Sequence, residues 1–358
     1  MAKVKYTNQE SKKNYQPPDV GRSRVLNLDT SELSDTGNGD GGFSGDRGRL
    51  KKRARQKSIG KVLMLGLIDR HSLLERAYKL TYGFCAEVLL HDETKITSRY
   101  CGYRWCPVCN RIRTAKLIDG YQTAFSQFKD PYMVTLTAPT GDLSQLPDEL
   151  EKRKAVWSAI LKYHKTLYNR HQVTFKLNGI KKLEVSPRPD GQCHPHYHLI
   201  VDGLEQAKFI KRQWLYRMPS ADHRLQDIRK ADKSSLIELF KYVSKYWSKD
   251  KKTGKIVIGT PHQMDQIFQA LKNKRTIRPF GKVRMVSDEV EKLRSEEIAD
   301  VTPRVDISLW DQAVMDWIDT YGECISGYKP TEKDKQLIQQ IEQTIKTETD
   351  GNKKDPPG

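Results

Sequence analysis

No run of about 18 apolar residues occurs anywhere in the 358-residue chain, which excludes a membrane-spanning helix of the usual kind. An apolar core is also missing after Met1-Ala2-Lys3-Val4-Lys5, so a secretory signal is absent and a cytoplasmic protein is expected, with no membrane partner. Cysteine is scarce, six residues in all, and in that compartment the thiols are expected as free groups or metal ligands rather than disulfides. Acidic side chains are the minority charge, 45 against 63 Lys and Arg, and the formal charge of +18 favours a polyanionic partner, nucleic acid before acidic membrane. No internal repeat is visible. Aromatics, by contrast, are plentiful (Tyr 16, Trp 6, Phe 9), which suits stacking on unpaired bases and equally an ordinary core.

The length allows one large domain or two small ones with a real core. Residues 1–58 lack periodicity: Asp29 to Asp46 is rich in Ser, Asp and Gly and reads as disordered, and Arg47 to Lys57 reads as a basic arm or a solvated linker. Helical spacing follows over Leu63 to Leu80, from near Arg111 to Phe128, over Leu150 to His171, Glu205 to Arg217, Ser234 to Lys249 and Pro261 to Lys274. Strand signals lie at Tyr132 to Thr137, Ile180 to Ser186, Cys193 to Val201 and Arg224 to Ile228. Arg275 to Lys282 reads as a basic loop, Val305 to Ile318 as weakly helical, and the last 25 or so residues as loosely ordered. That order predicts an α+β fold with a central antiparallel sheet and helices packed on one side.

Chemistry concentrates in Cys193-His194-Pro195-His196-Tyr197-His198-Leu199-Ile200-Val201. Side chains alternate along a strand, so His194, His196 and His198 share one face, while Tyr197 and Leu199 take the other. Imidazoles at i and i+2 on a rigid strand converge on one point, as a metal ion requires. A hydrogen-bonded core histidine is the alternative for any one of them, but three together leave several nitrogens to satisfy. Pro187-Arg188-Pro189-Asp190-Gly191 is a turn that folds the preceding strand back and brings Glu184 near the pair. Glu184, an anionic third ligand, competes with His194 for that place and with the reading of a solvent-facing glutamate.

A second cluster is Cys101-x4-Cys106-x2-Cys109, with Pro107 in the tight turn. The spacing is that of a zinc knuckle, with Cys85 as fourth ligand and His91 in reserve, against buried free thiols. Arg104, Arg111 and Arg113 surround it, and Arg275 and Arg278 sit further on, all candidates for gripping DNA. In the Ser234 to Lys249 helix, Leu236, Leu239, Phe240, Val243, Tyr246 and Trp247 form the apolar stripe. Glu238, Tyr242 and Lys245 lie largely opposite, so Tyr242 is not needed for packing, although a solvated helix face would look the same.

His196-Tyr197-His198 resembles the His-hydrophobe-His motif of HUH endonucleases. His194-Pro195-His196-x-His198 is similar to that of single-tyrosine rolling-circle plasmid replication initiators. Met133 to Pro139 resembles the first motif strand of that family and Glu238 to Lys245 its nucleophile helix, so the likeness covers residues 80–285 or so, in order. The resemblance implies an HUH, ferredoxin/RRM-like sheet preceded by a small zinc module. Its expected layout is a disordered segment with a basic arm (1–58), the Cys-rich module (59–120), a nicking domain (121–285) and a helical C-terminal extension with a polar tail (286–358). It implies a metal-dependent endonuclease that nicks and rejoins origin DNA, single-stranded or in a hairpin, through a 5′-phosphotyrosine on Tyr242. Glu238 and Lys245 would assist, with manganese or magnesium as cofactor, structural zinc, and host helicase and polymerase as partners. The competing functions are an HUH transposase or relaxase, and a zinc-dependent DNA-binding regulator without catalysis.

Overall fold

A computed structural model describes residues 44–68, 70–91, 96–139, 142–240, 246–249, 256–284 and 306–352. It opens with helix α1 (Ser44–Leu65) and α2 (Glu75–Gly83), the short strands β1 (Val88–His91) and β2 (Ile96–Ser98), and α3 (Pro107–Ser126). Then come β3 (Pro131–Thr137), α4 (Leu146–Asn169), β4 (Gly179–Pro187), β5 (Cys193–Asp202), α5 (Leu204–Arg217) and β6 (Asp227–Lys230). They are followed by α6 (Lys233–Phe240), β7 (Trp247–Lys249), β8 (Ile256–Ile258), α7 (Pro261–Leu271) and β9 (Ile277–Phe280). The last elements are β10 (Asp306–Asp311), β11 (Asp316–Ile318) and α8 (Glu332–Asn352).

The fold is α+β. Its main sheet is antiparallel throughout, in the order β6-β3-β5-β4-β9, which puts β5 in the middle. The β4–β5 turn closes with Arg188 N–H donating to Gln192 O (2.9 Å), and Gly191 takes the left-handed φ of +78° that a side chain would resist. Pro195 is tolerated in this central strand because β3 pairs only with His196 to Asp202, so from Cys193 to Pro195 β5 is an edge on that side. On one face, Tyr197, Leu199 and Val201 are buried against Trp157 and Ile160 of α4 and Phe209 and Trp214 of α5. Ring centroids of Tyr197 lie 6.4 Å from Trp157 and 5.7 Å from Trp214.

Helices cover the other face as well, where the sequence predicted helices on one side only. Met133, Ile180, Ile200 and Ile277 project there at the end remote from His194, and apolar groups left in water would be unfavourable. Leu117 and Tyr121 of α3 and Leu236, Leu239 and Phe240 of α6 close over them. His196 and His198 lie toward the other end of that face and are partly buried.

A second antiparallel sheet, β11-β10-β1-β2, forms from segments far apart in sequence. Val305 to Ile318, expected to be helical, is strand over 306–311 and 316–318: Trp310 pairs with Trp317 and Leu309 with Val88. Regular alternation over six residues is too short to stand out from helical spacing without its partner strand. Arg47 to Lys57, expected as an arm, lies within α1, where Leu50 and Ala54 are buried and the Lys57 ammonium donates to Cys85 O (2.7 Å) and Glu87 (2.8 Å). Ile277–Phe280 is strand within the stretch read as a loop, and Trp247–Lys249 is strand where the predicted helix continued. The C-terminal stretch, expected loosely ordered, forms α8 and buries Leu337, Ile338 and Ile341 in the main core, with Arg55 paired to Asp334 at 2.6 Å.

Docking of α8 predicts a measurable penalty. Ile341 is 1 % exposed, and Ile341→Ala should lower the unfolding free energy by about 2–5 kcal/mol in urea titrations. A midpoint equal to the parent's would mean that α8 is not packed.

Candidate active site

Strand register assembles the site. His196 sits opposite Glu184 on β4 and Thr137 on β3, and His198 sits opposite Lys182 and Thr135. Residues paired across an antiparallel ladder share a face, so Lys182, Glu184, Ser186, Thr135 and Thr137 surround the histidines. His196 Nε2 lies 3.3 Å and His198 Nε2 4.0 Å from Glu184 oxygens, and the ligand atoms of the three fall within 4.8 Å of one another. The outer nitrogens are held. His196 Nδ1 lies 3.1 Å from the His194 carbonyl, to which it donates, and His198 Nδ1 lies 3.2 Å from the Thr135 hydroxyl. Such outer contacts fix the tautomer and aim Nε2 inward. His194 stays apart, its Nε2 2.7 Å from the Thr137 hydroxyl.

Glu184 is buried, 2 % exposed, and a buried carboxylate needs compensation. Lys182, fully buried on the same strand, places its ammonium 2.7 Å from Oε2, and the Ser186 hydroxyl donates to Oε1 over 3.4 Å. One oxygen thus belongs to the lysine, while the other faces His196. Two nitrogens and a carboxylate oxygen suit a divalent cation, whose cis ligands at about 2.1 Å would lie about 3 Å apart. The 3.3 Å contact is near that spacing, so the residues fit the group. Nothing in the sequence motif singled out Lys182, although its place two residues before Glu184 assigns it to the same face once β4 is taken as a strand.

The helix that resembles the nucleophile helix packs beside this centre. Asp232 caps α6, accepting from Ser235 N (2.8 Å), and the Ser234 and Ser235 hydroxyls and this amide hold its carboxyl down to about 2. Leu236, Leu239 and Phe240 then fix the helix on Met133 and Ile200. Glu238 is exposed and its carboxylate pairs with Arg229 of β6, rather than only with lysines of its own helix as an isolated helix would suggest. Tyr242 and Lys245 lie outside the described residues. Tyr246 is 6 % exposed with its ring 5.6 Å from that of Phe268, and burial pushes its hydroxyl well above the ordinary value. It is a core side chain.

Cys85, Cys101, Cys106 and Cys109 form the second candidate centre. Their sulfurs approach to 3.4 Å (Cys85–Cys109), 3.5 Å (Cys85–Cys106) and 3.6 Å (Cys101–Cys109). Tetrahedral zinc with Zn–S of about 2.3 Å sets sulfurs about 3.8 Å apart, so the cage has the right size. Burial and the neighbouring thiols push Cys106 and Cys109 up, an unfavourable crowding that a dication relieves. Cys106 also caps α3, whose first turn carries Cys109. His91 is not in this group; its Nε2 meets Ser308 Oγ at 2.9 Å.

The arginines divide. Arg275 and Arg278 are exposed and Arg111 is half-buried. Arg113, predicted to grip DNA, is instead buried at 7 % exposure and donates to Gly102 O (2.7 Å), which ties the cysteine loop to α3. Arg104 likewise donates to the Lys274 carbonyl, bracing the loop against the end of α7.

A histidine–carboxylate centre on the middle strand of an antiparallel α+β sheet, beside a four-cysteine knuckle in a strongly basic chain, marks the class of DNA-replication initiators. The model of the replication-protein family Rep_1 matches residues 94–316, and the chain belongs to that family of rolling-circle plasmid initiators. No curated protein and no solved structure matches it.

Two predictions follow the two centres. Cys106→Ser should empty the cage of zinc in elemental analysis and lower the melting temperature, because a structural site contributes folding energy directly; parent protein without zinc would reject the cage. Lys182→Met should cost about 3–5 kcal/mol by stranding the buried Glu184 charge, with part of that recovered when manganese is added. Equal melting of variant and parent would show that the pair carries no such role.

Proposed function

We propose that the protein starts plasmid replication by nicking one strand of its origin and later rejoining it. The observation that carries this reading is the convergence of Glu184, His196 and His198 on one face of the main sheet, the face on which α6 packs. A divalent ion, manganese or magnesium by family resemblance, would be held there and act as a Lewis acid on the scissile phosphate.

The chain's own groups do the rest. The Tyr242 phenol attacks phosphorus, forming an O–P bond as the bond to the 3′ oxygen breaks. The phenolic proton leaves, the departing oxygen takes one up, and the 3′-hydroxyl so released primes synthesis while the 5′ end stays on the tyrosine. A phenol with pKa of about 10 is a weak nucleophile at neutral pH, so a nearby cation such as Lys245 assists by favouring the phenolate. His194 and Thr137 keep the strand end ordered, and Glu184 rather than His194 serves as the third ligand.

Glu238, one helical turn before Tyr242, acts as general base for water when the origin is cut again at the end of a round. Its pairing with Arg229 is compatible with that role. Two exposed side chains held together gain little, so the carboxylate is released at small cost when a phosphate takes the arginine.

Nicking of supercoiled plasmid by the purified chain tests the proposal. His196→Ala should abolish nicking in manganese with DNA binding retained, and Tyr242→Phe should abolish the covalent adduct without changing the fold. Glu238→Ala should still nick and form the adduct yet accumulate multimeric single strands. Supercoiled DNA left intact by the parent would point to a regulator without catalysis, and an adduct mapped to another residue would move the nucleophile.

A further inference from the structure

The sheet's other side carries a charge pattern that the nicking centre does not use. Between Lys152 and Lys176 there are seven Lys and Arg residues and no Asp or Glu. Lys152, Arg153 and Lys154 pair with Glu149 or Glu151 and Arg153 is buried, so among the described residues the run of charge without an acidic partner begins at Lys162, on the end of α4, and continues into the segment after it. Trp157 and Ile160 point into the core from α4, as do Phe209 and Trp214 from α5, so these two helices lie on the face away from the histidines. Tyr163 stacks on Phe209 with centroids 6.4 Å apart, which joins the helices into one surface.

On that surface Lys162, Lys165 and Arg170 of α4 and its end stand exposed with Arg212 of α5, while Lys208 of α5 meets Glu205 at 3.1 Å. Near the start of α4 and at the C-terminus such charges are paired: Lys154 meets Glu151 at 2.8 Å, Lys274 meets Glu151 at 2.5 Å, and Lys335 meets Glu332 at 2.7 Å. Among the described residues, Lys162, Lys165, Arg170 and Arg212 have no acidic partner. The Arg217 guanidinium is held at 5.0 Å from the Tyr163 ring and 5.4 Å from the Tyr216 ring. An arginine braced by rings loses less freedom on meeting an anion than one swinging in water.

Ordinary surfaces mix both signs, because a patch of one sign repels itself. A polyanion removes that repulsion. From Lys162 to Arg170 the helix advances about 12 Å, a length of duplex axis that carries about seven phosphates. The aromatic groups do not form a stacking row for unpaired bases: Tyr216 is widely exposed at 76 %, but a guanidinium lies against its ring. The pattern is that of a backbone grip.

We propose that α4 and α5 form a second DNA-binding surface, which holds the phosphate backbone of duplex DNA on the face opposite the nicking centre. The inference rests on the reading of the chain as an origin nickase, in which one strand is cut on the histidine face. Duplex flanking the cut would then be held behind the sheet, by contacts independent of sequence.

The test uses the full chain carrying Lys162→Glu, Lys165→Glu and Arg212→Glu together. Its probes are a random-sequence duplex of about 30 base pairs and a single strand of the same length. Binding is measured over a salt series, with nicking of supercoiled plasmid read in parallel. The triple variant should bind duplex at least about tenfold more weakly, and the slope of log K against log salt should shrink by about 3, close to 0.9 per lost phosphate contact. Melting temperature and manganese binding should match the parent. A control with Lys329→Glu, Lys333→Glu and Lys346→Glu, the same change in net charge near the C-terminus, should keep the parent's slope.

An unchanged slope in the first variant would overturn the proposal, and so would an equal loss in the control. Weaker binding of the single strand alone would likewise overturn the duplex assignment. A parent that fails to nick would remove the nickase reading, yet the duplex measurement would still decide whether this surface binds DNA.

Discussion

Everything in the main sheet answers to the two-residue period of β5. Its odd positions, Tyr197, Leu199 and Val201, are fully or nearly fully buried, and its even positions near the turn are histidines. A slip of one residue in pairing would turn imidazoles into the apolar core and aromatic carbon toward the metal ligands. Burial of the odd face therefore fixes the register, and the register brings Glu184 opposite His196. Stability and chemistry share one constraint here, since hydrophobic packing on one face positions polar groups on the other.

The same strand explains why the centre carries its own counter-charge. Glu184 is too deep to stay ionised on its own, and Lys182 lies on the same strand and face, at full burial. A pair of that kind gains little net stability against an apolar substitute, but breaking it is expensive. It serves orientation: one carboxylate oxygen is engaged by the ammonium and the other is turned toward His196. The four cysteines pose the same problem in another form, with crowded buried thiols in place of a buried carboxylate.

Much of this was legible in the sequence because it is local. The histidine alternation, the Pro-Asp-Gly turn, the cysteine spacing and the helices α3, α4, α5 and α7 each follow from short-range periodicity or turn chemistry. What escaped is what depends on partners distant in the chain. Leu309 and Ile307 reveal a strand only when Val88 and Leu90 lie beside them, and the lysine-rich start of α1 reads as a solvated arm until Cys85 and Glu87 receive Lys57. Arg113 was misjudged for a related reason: a guanidinium beside a zinc knuckle looks like a DNA contact unless its burial and its carbonyl acceptor are known. Helices on both faces of the sheet were missed because Ile180 and Ile200 had to be placed on the histidine side before they called for cover.

The small sheet sets an order of events during synthesis. His91 of β1 and Ser308 of β10, joined across the ladder's edge by a 2.9 Å contact, are 217 residues apart in sequence. Closing a loop of that size is entropically unfavourable before any contact forms, and pairings of such long range are slow. Leu89, packed with Cys106, Cys109 and Trp317, thus waits for a strand that leaves the ribosome long after the thiols do. At a translation speed of about 5–20 residues per second that interval is tens of seconds at the slow limit. For that time the cysteine knuckle stands half-walled, open to an incoming ion, and becomes enclosed only when the C-terminal strands arrive.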